Sequence, residues 1–125
     1  MTTPHRIDTH QHIIPPHYAA WLAKHGLNAG GRAIPEWSVD GALELMDRAR
    51  IATAILSVST PGTHIGDDGE ARDVARSVNE FSAEVVRGEP DRFGFFATLT
   101  LPDVEGAIAE AKYALDHLGA DGVVL

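Results

Sequence analysis

The sequence has 125 residues, 44% hydrophobic and 22% charged, a balance that suits one compact domain with a buried core and excludes a disordered chain. Lys and Arg number 10 against 18 Asp and Glu, so the net charge is −8 with no basic stripe, which excludes a nucleic-acid partner. The absence of cysteine rules out disulfides and thiolate metal sites; no apolar run approaches the roughly 18 residues of a membrane span, no signal-peptide core is visible, and the expected compartment is the cytoplasm.

The first organised stretch runs from Arg6 to Tyr18. Its β-branched start and its Pro15-Pro16 close predict a strand over residues 7–12 that ends in a loop. Side chains two apart on a strand share a face, so Asp8, His10 and His12 are expected together, opposite Ile7, Thr9 and Gln11. An ordinary core would not ask for two imidazoles on one face. Their Cα atoms would be about 6 to 7 Å apart, and side-chain rotation can bring both rings onto one ion at about 2.0 to 2.1 Å. His10 and His12 are therefore candidate metal ligands. Asp8 either orients one of them from behind or pairs with a neighbouring base.

A long connection follows from Ile13 to Trp37, with a short helical piece expected over residues 18–23. Connections of this length usually form binding loops. Arg32 and Trp37 are its candidates for gripping a planar or anionic ligand.

Ser38 reads as an N-cap, with the stripe Val39, Ala42, Leu43, Met46 and Ala49 behind it. Residues 51–59 form a nearly continuous apolar run, the mark of a strand buried on both faces in a parallel sheet. The stripe from Ala71 to Val86 predicts a helix that Gly88 and Pro90 end. Residues 92–99 predict a third strand. A further helix begins at Pro102 and Asp103, with the stripe Val104, Ile108, Ala111, Leu115 and Leu118 and a C-cap at Gly119. Residues 121–125 begin a fourth strand.

This alternation predicts a single domain, 1–125, of parallel βα repeats. An open doubly wound sheet would carry a Gly-rich phosphate turn after its first strand, where this chain has Ile-Ile-Pro-Pro. The expected fold is therefore α/β, the first half of a (β/α)8 TIM barrel, which places its chemistry at the C-terminal strand ends where His10 and His12 lie. A complete barrel needs about 250 residues, so the chain is expected to be a truncated half, or one of two copies that complete each other. Its last strand would be an apolar edge ready to pair, and a homo-oligomer is expected.

The segments Arg6-Ile-Asp-Thr-His-Gln-His-Ile-Ile-Pro, Pro90 to Pro102 and Leu118 to Leu125 resemble the amidohydrolase superfamily, and within it the metal-dependent decarboxylases typified by aminocarboxymuconate-semialdehyde, γ-resorcylate and methylsalicylate decarboxylases. The resemblance covers essentially the whole chain. It implies that His10 and His12 are two ligands of a catalytic zinc or related divalent ion, and that Arg32 is the loop arginine that binds a substrate carboxylate. The family adds a third histidine, an acid–base histidine and an aspartate on later strands. His64, His117 and Asp121 do not fit those places.

The implied function is decarboxylation of a small aromatic or unsaturated carboxylic acid, with this chain inactive by itself because two histidines hold zinc weakly. The alternatives are a metal-dependent hydrolase of a lactone or amide in the same superfamily, a non-catalytic half-barrel that assembles with a copy or partner, and, last, an open-sheet binding domain.

Overall fold

The computed structural model describes residues 3–125. Among them the chain runs β1 (Arg6–His12), α1 (Pro16–Lys24), α2 (Val39–Ala49), β2 (Ile51–Ser57), α3 (Asp68–Gly88), β3 (Phe93–Thr98), α4 (Val104–His117) and β4 (Gly122–Val124). The strands pair in parallel in the order β1-β2-β3-β4, and the sheet curls as the first half of a (β/α)8 barrel. Parallel pairing follows from the crossovers, because α2, α3 and α4 each carry the chain back before the next strand begins.

The helices start where side chains can satisfy their first free N–H groups. Ser38 Oγ accepts from Gly41, Asp67 from Glu70 and Asp103 from Gly106. Ala54, Leu56, Phe93, Phe95 and Ala97 of β2 and β3 form one core with Met46, Val78, Val85 and Ala114 of the helices. Their alternate neighbours Ser57 and Thr98 consequently point to the other side, the inside of the curl. The helical piece expected over residues 18–23 is longer, Pro16–Lys24, and buries Tyr18 and Leu22. Tyr18 donates its hydroxyl to the Gly62 carbonyl at 2.6 Å, while Trp21 Nε1 and His25 Nε2 donate to Glu70 Oε1 at 2.8 and 3.1 Å.

One expectation is corrected. Of the stripe assigned to the buried side of α4, Val104 (58%), Ile108 (52%) and Leu115 (47%) are exposed, whereas Leu118 packs against the core. Gly106, Ala107, Glu110 and Ala114 form the buried face instead. The reason is electrostatic. Arg72 of α3 forks onto Asp103 at 2.6 and 2.9 Å, and Glu110 accepts from Arg76 at 2.9 Å and from the buried Asn79 amide at 3.0 Å. Turning α4 to bury its larger apolar residues would strand these polar groups without partners, which costs more than the apolar burial gains.

The Arg72 guanidinium holds the Asp103 carboxyl well below the usual carboxylate range, helped by the Gly106 N–H and the Thr100 hydroxyl. Unfolding returns the group to its ordinary value of 3.8. Its stabilisation is thus complete above about pH 4 and is lost as the pH falls below that. We expect thermal stability to drop steeply on acidification below about pH 4, and an Asp103→Asn variant to be less stable at neutral pH with a shallower acid limb. Parallel limbs would remove the ion pair as the cause. Gly106→Ala is a second test: an added Cβ would collide with the bound side chains of Asp103, Arg72 and Thr100. A helical Gly→Ala change ordinarily stabilises by about 1 kcal/mol, but here overpacking should make it destabilising by about 1–3 kcal/mol in chemical denaturation.

Candidate metal centre

β1 departs from simple alternation. Asp8 pairs with Ala54 and Gln11 with Leu56, so β1 carries one residue more than β2 over this stretch. Asp8 stabilises the irregularity, since its Oδ1 accepts the His10 N–H at 3.0 Å and its Oδ2 accepts from Gln11 Nε2 at 3.2 Å. Gln11 is thereby brought to Asp8 rather than opposite it, which corrects the expected division of faces. The other half of that expectation holds: the His10 and His12 rings lie together, centroids 4.7 Å apart at an interplanar angle of 71°.

The backbone fixes the His12 ring. Its Nδ1 lies 3.1 Å from the Ser57 carbonyl oxygen, which can only accept, so Nδ1 carries the proton and Nε2 presents a free lone pair. This tautomer leaves Nε2 as the nitrogen available to a metal ion. The two donors therefore fit two positions of a divalent ion's coordination sphere. No third His, Asp or Glu is grouped with them among the described residues.

His12 borders two cavities. One, of 530 Å³, also touches Gln11, Glu36, Trp37 and Arg48; the other, of 120 Å³, is apolar and walled by Ile13, Tyr18, Leu22 and Ile34. Trp37 is half-buried, its ring 6.3 Å from that of Phe81. Arg32 is exposed, bridged through its backbone to Ala29, and its guanidinium has no partner among the described residues. Ala29 itself borders the apolar cavity beside His12.

The remaining ionisable candidates are engaged elsewhere. His64 donates from Nε2 to Asp68 at 2.7 Å, His117 packs on Tyr113 with ring centroids 5.7 Å apart, and Asp121 accepts the Phe95 N–H at 3.0 Å. His17 sits against Phe81, and burial lowers its pKa below the usual histidine value. Sequence reasoning misses the Ser57 carbonyl, because a backbone acceptor leaves no trace in residue identity.

The family profile described as Amidohydrolase matches residues 7–125. Decarboxylase yanB of Aspergillus niger is 42% identical over 125 residues, covering 96% of this chain and 34% of that protein. The crystal structure of an amidohydrolase II superposes with a TM-score of 0.90 at 32% identity, over 95% of this chain and 39% of the other. That of a dihydroxybenzoic acid decarboxylase from Polaromonas sp. JS666, with bound manganese and the inhibitor 2-nitroresorcinol, gives a TM-score of 0.75 at 30% identity, over 94% and 37% of the two chains. The chain thus spans about a third of the length of the curated relatives it matches. With the profile running from Ile7 through Leu125, the chain belongs to the amidohydrolase family.

Proposed function

We propose that this chain supplies the first two metal ligands, and part of the substrate pocket, of a metal-dependent decarboxylase acting on a small aromatic carboxylic acid. The observation that carries the reading is the pair of imidazoles at the C-terminal end of β1, with the proton of His12 directed at Ser57 and its other nitrogen free. Similarity to a decarboxylase along nearly the whole chain supports it.

In this reading His10 and His12 hold a divalent ion, zinc or manganese. The ion, when bound, supplies positive charge that accepts a carboxylate or phenolic oxygen and stabilises the negative charge left as carbon dioxide departs. The chain's own residues prepare the place. Ser57 keeps the His12 ring in one tautomer, and Asp8 pins the irregular turn of β1 that sets the angle between the rings. Arg32 is the proposed partner of the substrate carboxylate, as a guanidinium can form a planar fork with it. Trp37 is proposed to cover an aromatic ring. Ile13, Tyr18, Leu22 and Ile34 keep the neighbouring cavity apolar, which strengthens the charge interactions next to it. The exposed apolar face of Val104, Ile108 and Leu115 supports a homo-oligomer.

Calorimetric titration with manganese or zinc tests the metal assignment. The chain should bind about one ion, and the His10→Ala/His12→Ala double variant should bind at least about 100-fold more weakly; equal binding would overturn the assignment. Asp8→Ala, which leaves both imidazoles in place, should weaken binding by about tenfold. With only two histidine ligands the chain alone is expected to be inactive, so release of carbon dioxide from hydroxybenzoates distinguishes a decarboxylase from a hydrolase once the remaining ligands are supplied with it.

A further inference from the structure

His12 stands where two unlike cavities meet. The cavity of 530 Å³ carries the charged side chains of Glu36 and Arg48, whereas that of 120 Å³ is walled by Ile13, Leu22, Ile34 and the ring of Tyr18. Among the residues that border them, His12 is the one they share. A ligand held at the histidine pair therefore meets charged side chains through one cavity and apolar ones through the other.

The smaller cavity cannot hold a whole ligand, since small-molecule sites usually span about 300–1,000 Å³. It has room for a substituent, because an apolar cavity of about 150 Å³ takes up a benzene molecule. The rings in its wall have no proton to offer. Tyr18 donates its hydroxyl to the Gly62 carbonyl, and His12 donates from Nδ1 to the Ser57 carbonyl. A charged group entering between Ile13, Leu22 and Ile34 would give up its water without replacement, while an apolar group gains by burial. The shape is also set in advance. Ile13, Tyr18 and Leu22 are buried, and α1 is tied to α3 where Trp21 and His25 both donate to Glu70. Ile34 is half-buried, and Pro35 and Thr60 are exposed, so the cavity opens on their side.

We propose that the 120 Å³ cavity is a subsite for one small apolar substituent, of the size of a short alkyl group, on the acid held at His12, and that Leu22 and Ile34 set the size it admits. The acid is thereby oriented, its substituent against α1 and its charged groups outside this cavity. This rests on the reading of the histidine pair as the place where an aromatic acid is held; the affinity of the cavity for apolar groups does not.

Two measurements separate the subsite from that reading. In metal-free protein, xenon is the probe and the backbone amide shifts of Ile13, Leu22 and Ile34 are the readout. Wild type should show saturable shifts there. Ile34→Phe, whose ring fills the cavity, should abolish them and be at least as stable in thermal unfolding, since an empty apolar cavity is removed. In manganese-loaded protein, calorimetry compares benzoate with its three methyl isomers. One isomer should bind about fourfold tighter than benzoate, with no gain for the matching ammoniomethyl compound, and the gain should vanish in Ile34→Phe. In Leu22→Ala, which enlarges the cavity, the ethyl homologue should overtake that isomer. Absence of xenon shifts in wild type overturns the subsite whatever the acids do. If benzoate binds but no isomer gains, or the gain survives Ile34→Phe, the subsite is overturned while the aromatic-acid reading stands. If xenon binds and manganese binds but no benzoate does, the aromatic-acid reading falls, and with it the orienting role of the cavity.

Discussion

The carbonyl oxygen of Ser57 is the point on which the site depends. It accepts the Ile13 N–H at 3.0 Å, extending the β1–β2 association beyond the end of β1, and it also accepts the His12 Nδ1 proton at 3.1 Å. One oxygen with two lone pairs thus joins the fold to the chemistry. The register that pairs His12 with Ser57 also fixes which nitrogen of His12 is free. A parallel strand pair slipped by one residue would face the His12 ring with a different group and leave its tautomer unfixed.

Behind the sheet, polar groups do the aligning that apolar stripes usually do. The Arg72–Asp103 fork and the Arg76–Glu110–Asn79 chain tie α3 to α4, and Asn79 continues the chain to both backbone groups of Thr98. Arg92 does the same at the opposite end of the strands, donating to the carbonyls of Ile51 and Ala52 and to Asp47. Directional bonds of this kind fix a helix in rotation and in height, whereas an apolar face alone allows it to slide. The inside of the curl inherits that precision through the backbone of β3.

The alternation of strands and helices is legible in the sequence because burial imposes its period directly, as in the β2 run from Ile51 or the helix stripe of Ala42 and Met46. The cap at Ser38 is legible too, because its hydroxyl suits the first free N–H groups of a helix. The facing of α4 is not, since Val104, Ile108 and Leu115 outweigh Glu110 on any hydrophobic reading, and only the presence of Arg76 and Asn79 on the preceding helix α3 reverses the choice. The paired histidines stand out by type and spacing. The extra residue in β1 does not, because it arises from an aspartate bonding to a neighbouring N–H, and His-x-His reads the same with or without it.

Helix α1 gives the cavity beside His12 a wall with little freedom. Moving it would break the Tyr18 bond to Gly62 and expose Tyr18 and Leu22, a loss of about 1.5–3 kcal/mol for each such side chain. Burial pushes the Tyr18 pKa up to about 12, so the hydroxyl keeps its proton for that bond through the physiological range. The space between Ile13, Leu22 and Ile34 is accordingly set in volume by the packing of α1.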